Sequence, residues 1–148
     1  MNRLVKCGLA LAVLVAPAVA QADDADDINY RRQVMKTMGE QSALMNMTLQ
    51  GKGPAEAFVS HVRTLHLAAT QALKAFEPNV PGDGSTGSAK PEVWSNAADF
   101  AKRMNEQVAK LAALEKAAVE GGAEKAGPMI QASMDCRGCH ENYRVPKK

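Results

Sequence analysis

Two thiols and an imidazole stand together near one end of the chain, in the run Cys136-Arg137-Gly138-Cys139-His140. On a helix that advances about 100° per residue, Cys139 falls about 60° behind Cys136 and His140 about 40° ahead of it. All three side chains therefore project from one face. That is what c-type haem attachment requires: two thiols add to two haem vinyl groups, and the next side chain brings an imidazole under the iron. The pentapeptide is the signature for that chemistry. Other uses of the same residues fit less well. A zinc site needs four ligands, usually from two such pairs, and would have to recruit His61 and His66 from elsewhere. A thiol–disulfide redox motif needs a βαβ context, and a disulfide between Cys136 and Cys139 would strain a helix.

The chain has 148 residues and three cysteines, an odd number. The third, Cys7, sits in an N-terminal segment that reads as an export signal. Arg3 and Lys6 form a basic start, Cys7 to Ala20 carries no charge, and small residues follow. A membrane span needs about 20 apolar residues, so the run has the length of a secretory h-region instead. Residues 1–22 are expected to be removed, with cleavage after Ala22 or after Ala20, and residues 23–148 to form one domain. A bacterial periplasm is the expected compartment. The alternative is that this segment is the first helix of the fold. Loss of Arg3 and Lys6 lowers the 18 basic residues to 16, against 16 acidic ones. A neutral chain without a basic stripe argues against nucleic-acid binding, and after cleavage no membrane insertion is expected.

The rest of the chain has to position the haem motif. Aromatics are only 4% of the residues, and the apolar ones are mostly Ala, Leu and Met, a composition that favours helix over strand. Four helical patterns follow. The first spans residues 28–50, with Ile28, Met35, Met38, Met45 and Leu49 on one stripe. Gly51-Lys52-Gly53-Pro54 breaks it. The second spans 54–76, with Phe58, Val62, Leu65, Ala69, Leu73 and Phe76. Residues 77–90, rich in Pro, Gly and Ser, form a crossing connection. The third helix spans 91–120 and carries Trp94, Ala97, Ala101, Met104, Val108, Leu111 and Leu114. The fourth spans 123–142, after Gly121-Gly122. Four such helices predict an all-α, antiparallel up-down four-helix bundle, an architecture that commonly holds a cofactor between facing helices.

Three stretches make a more specific match. The ending from Cys136 to Arg144, the run Tyr30-Arg31-Arg32-Gln33-Val34-Met35-Lys36-Thr37-Met38-Gly39, and Pro91-Glu92-Val93-Trp94 resemble the class II c-type cytochromes. That family comprises cytochrome c prime and its low-spin relatives, exported four-helix bundles with the haem site near the C-terminus. The resemblance implies that Cys136 and Cys139 form the thioether bonds and that His140 is the proximal iron ligand. Arg144 corresponds to the family's arginine near the proximal face. Arg31 corresponds to the arginine beside a haem propionate, where a guanidinium fork suits a carboxylate, and Arg32 is a further candidate for that edge. For both arginines the plain alternative is a solvated helix face.

The resemblance also places Met35 opposite the proximal ligand. In five-coordinate members a bulky apolar residue often stands there and blocks weak ligands. In low-spin members a methionine sulfur binds iron, and His/Met ligation suits electron transfer. Met38, one turn on, is the ligand if the register is shifted, and Met35 as simple core filler is the third option. His61 and His66 are expected at the surface or loop edges, and Trp94 and Phe100 in the core. The expected function is a periplasmic one-electron carrier with one covalent haem c, His140 and Met35 as axial ligands, and periplasmic redox proteins as partners. The alternative is a five-coordinate protein that binds nitric oxide or carbon monoxide. The resemblance further implies homodimers through the first two helices. No catalytic set is apparent, so an enzyme is not expected.

Overall fold

The computed structural model describes residues 23–146 apart from Thr86. The expected export signal and its cleavage site lie outside the described residues. The first helix, α1, spans Asp24–Leu49. It begins four residues before the apolar pattern does, because the Asp23 side chain accepts from the Asp26 amide and three acidic residues stand in the first turn, where carboxylates offset the helix dipole. After a 3₁₀ turn at Ala55–Ala57, α2 spans Phe58–Ala75. Its buried face is the predicted stripe, with Phe58, Val62, Leu65 and Ala69 at most 1% exposed.

The third and fourth helices depart from expectation. The 91–120 helix is divided at Asn96 into α3, Glu92–Ser95, and α4. The latter spans Ala97–Ala126 and passes through a kink at Gly121-Gly122 rather than ending there. Gly122 has φ +61°, a left-handed conformation that glycine adopts without a Cβ penalty. The expected single helix over 123–142 is absent. A 3₁₀ turn at Gly127–Met129 and the short α5, Ile130–Ser133, precede a break at Met134-Asp135, and α6 then spans Cys136–Tyr143. The Asp135 side chain accepts from the Gly138 amide and starts a new helix at the haem motif itself.

The four helical segments form the bundle. Its main core joins Met45 of α1, Phe58, Val62 and Leu65 of α2, and Leu111, Leu114 and Ala118 of α4. A second cluster lies at the haem-motif end, where Ala72, Val93, Phe100, Met104 and Tyr143 pack with Met35, Phe76 and Cys139. The α1 stripe is less regular than its pattern. Leu49 is exposed, whereas Arg31 is buried.

Candidate haem site

Tertiary contacts hold α6 in place, since eight residues are too few for a stable isolated helix. On one side an aromatic ladder reaches it. The Phe76 and Phe100 rings meet edge to face at 5.1 Å, and Phe100 meets Tyr143 in the same way at 5.1 Å. The Tyr143 hydroxyl donates to Asp99 Oδ2, which also receives Arg103 Nε at 2.6 Å. On the other side the 82–90 segment pairs with the chain after α6. Gly87 N donates to Val145 O, Val145 N to Ser88 O, and Lys90 N to Tyr143 O, all at 2.9–3.0 Å. Lys90 Nζ donates to Glu141 O at 2.9 Å.

A cavity of about 750 Å³ opens between α1, α4 and α6. That volume lies in the range of small-molecule and cofactor sites. Cys136, Cys139, His140 and Arg144 line it from the C-terminal side, and Arg31, Arg32, Met35 and Met38 from α1. Residues from the two ends of the described chain thus share one chamber. Phe100, Met104 and Leu111 of α4 supply apolar wall. His61 and His66 are absent from the lining. They sit half-buried within α2 rather than at loop edges, with Nδ1 of His61 at 2.9 Å from Gln41 and that of His66 at 2.6 Å from Glu115. Trp94 is half-buried against the second core cluster and Phe100 is buried.

The electrostatics suit a cofactor with an apolar face, a Lewis-acidic centre and an anionic edge. His140 is exposed at the cavity mouth, and partial desolvation by the surrounding walls, then the charge of Arg144, keeps its pKa below the ordinary value, so the imidazole is the neutral, ligating form at pH 7. Partial desolvation pushes both thiols up, although Cys136 is exposed and Cys139 half-buried, with Asp135 adding to the effect at Cys136 and Arg103 partly opposing it at Cys139. Both cysteines are free, and they stay protonated at neutral pH. Arg31 is 3% exposed. Its guanidinium lies 5.1 Å from the Trp94 ring centroid and 5.7 Å from that of Phe76, and Nη2 donates to Val80 O. Burial lowers its pKa first, then Arg32, with Asp27 opposing. Nη1 has no partner among the described residues. An arginine with this burial and an orphaned N–H on a cavity wall is a donor waiting for an anion. Arg32 takes another course: it is exposed, lines the cavity rim, and contacts Asp83 at 3.6 Å and Ser85 at 3.4 Å. The residues present therefore fit haem c.

A profile of the family Cytochrome C′ matches residues 26–144. The chain belongs to that family. Members carry a covalently bound haem c with iron, and haem c is the cofactor of this one. The family's proteins are haem proteins of electron transfer or ligand binding. Cytochrome c′ of Alcaligenes xylosoxydans xylosoxydans is 27% identical over 125 residues, which cover 82% of this chain and 95% of the relative. Cytochrome c-556 of Agrobacterium tumefaciens (strain II Chrys) is 32% identical over 130 residues, covering 83% and 100%. A nitric oxide complex of a variant cytochrome c prime from Alcaligenes xylosoxidans superposes with a TM-score of 0.71 at 28% identity, covering 86% of this chain and all of the other.

Asp99 and Arg103 escape a reading of the sequence, although their i,i+4 spacing on α4 is a signal that could find them. Tyr143 and then Arg103 hold the Asp99 carboxyl below the usual carboxylate range. A carboxylate with a folded pKa below its unfolded one stabilises the fold fully above about pH 4, the unfolded value, and the contribution is lost as pH falls through the lower folded value. Wild-type protein is accordingly expected to lose stability more steeply below about pH 4 than Asp99→Asn, in urea unfolding series over that range. Parallel slopes would show that the contact contributes nothing.

Proposed function

We propose that this protein is an exported, ligand-binding cytochrome that takes a small diatomic gas, nitric oxide or carbon monoxide, at its haem iron. The observation that carries the reading is the open cavity of about 750 Å³ between α1 and α6, in whose lining His140 is the one histidine. Cys136 and Cys139 anchor the cofactor, His140 holds the iron from α6, and Arg144 tunes that face by its charge. Arg31 pairs a propionate, and Arg32 closes the same edge through the loop. When bound, haem c supplies a one-electron iron couple and a coordination site for the gas. In this reading Met35 is a gate, a soft thioether that blocks weak ligands. Cytochromes c′ among the relatives, one of them solved with nitric oxide, support it. Export to the periplasm follows from the N-terminal segment, because covalent c-haem insertion in bacteria takes place outside the cytosol.

A second reading makes Met35 the sixth iron ligand of an electron carrier with periplasmic redox partners. It is favoured by the Met35 side chain on the cavity wall and by the 32% identity with a cytochrome c-556. In either reading two copies pair through α1 and α2, where Leu44, Met47 and Leu67 are exposed.

The two readings differ in the spectrum of the reduced holoprotein and its response to carbon monoxide. The gas-binding reading expects a high-spin ferrous spectrum that carbon monoxide converts at once, with Met35→Ala speeding the conversion. A low-spin wild type indifferent to carbon monoxide, together with a responsive Met35→Ala, overturns it in favour of the carrier.

A further inference from the structure

Two buried side-chain polar atoms have no hydrogen-bond partner among the described residues: Nη1 of Arg31 and Oγ of Ser88. Each residue is 3% exposed, and both line the haem cavity. They come from opposite sources, the start of α1 and the loop before α3. An unpartnered hydroxyl buried in protein bears its full desolvation penalty, so one such atom calls for an explanation and two on one cavity share it.

Ser88 is not loosely placed. Its amide donates to Ser85 O at 3.0 Å, and its carbonyl accepts from Val145 N at 2.9 Å. Behind it Gly82 approaches so closely that a Cβ there would lie 2.4 Å from Ser88 Cβ, and Gly82 N donates to Ala89 O at 3.2 Å. The loop is therefore closed on itself and tied to the chain after α6, and the hydroxyl, 2.8 Å from the position of a Gly82 Cβ, bonds to none of the described residues. The charge around the cavity says what it is left for. Six basic side chains, Arg31, Arg32 and Arg144 among them, line it against three carboxylates, Glu40, Glu106 and Asp135, and this excess of positive charge favours an anion there. A carboxylate accepts from two donors at once.

We propose that Ser88 is a cofactor-positioning residue: its hydroxyl and Arg31 Nη1 donate together to one propionate of the haem. The proposal rests on haem c in this cavity and goes beyond it by naming a loop residue that fixes the cofactor's rotation about its thioether anchors. It also explains why the 82–90 segment is bonded to the chain after α6: one tie sets the distance between the propionate donors and His140.

The test uses holoprotein from a host competent in cytochrome c maturation. A pyridine haemochrome assay on wild type and Ser88→Ala comes first. Absence of haem c from the wild type would sink the cofactor reading, a separate failure. The reduction potential is then followed against pH. A propionate that loses a donor titrates higher, so the inflection in Ser88→Ala is expected to move up by about one pH unit. The propionate bending band in resonance Raman spectra should shift with it. A hydroxyl that is merely buried gives the opposite pattern, with an unmoved inflection and a melting temperature equal to or above that of wild type; that result overturns the proposal. A crystal structure of wild-type holoprotein provides the second measurement. A propionate oxygen is expected within about 3 Å of both Ser88 Oγ and Arg31 Nη1, and propionates turned away from Ser88 overturn the assignment.

Discussion

A chain with Cys136 and Cys139 both replaced by Ser is expected to give up its haem to acidified organic solvent, while wild-type protein retains it. The effect should be all or none in the mass spectrum: the variant runs at the mass of the polypeptide, the wild type at that mass plus one haem. The substitutions are nearly isosteric and leave the Asp135 cap, the aromatic ladder and the ties to the 82–90 segment in place, so α6 still forms. What changes is molecularity. A covalent anchor makes every other haem contact intramolecular, at high effective concentration. Without it, occupancy and melting temperature follow the concentration of free haem. Retention of haem by the double variant through acid extraction would show that these thiols are not the anchors.

Phe58→Ala is expected to be the most damaging single change to stability away from the haem. Phe58 opens α2, is 1% exposed, and belongs to the main core with Met45, Leu65, Leu111 and Leu114. Truncating a buried phenylalanine costs about 4 kcal/mol, the sum of lost transfer energy and the cavity left behind. For a domain of this size that lowers the melting temperature by about 15 °C. Phe58 is not among the residues lining the haem cavity, so below the transition the haem absorption spectrum should match that of wild type. Helical circular dichroism and haem absorption followed together on heating check both parts. A drop of about 1 kcal/mol or less would mean that the surrounding helices close over the gap.

The helices and the anchor residues are largely legible in the amino-acid sequence. Phe58, Val62, Leu65 and Ala69 recur at helical spacing and are all buried on α2, because a period of 3.6 puts them on one stripe whatever packs against it. Helix ends are less legible. Gly121-Gly122 reads as a terminator, yet α4 runs through the pair with a kink. Whether two glycines end a helix or bend it depends on what the next turn packs against. The break at Met134-Asp135 has a local cause, the Asp135 cap, but no glycine or proline stands at the break to mark it in the sequence. Arg31 has a solvated face as its plain alternative. It is buried instead, because Trp94 and Phe76, from two other segments, close over its guanidinium.

Covalent attachment is a local event within one pentapeptide, so the order and spacing of Cys136, Cys139 and His140 are enough to name the cofactor. The fold class is equally local, since helical periodicity is read along one element at a time. What faces the cofactor is a matter of packing between segments. Packing brings Met35 and Arg31 of α1 to the same cavity as His140, sends His61 and His66 to other partners, and leaves the Ser88 hydroxyl without a partner among the described residues at the cavity wall. Spacing along one helix carries no information about which hydroxyl or guanidinium a distant loop will bury, because that depends on contacts between residues far apart in the chain.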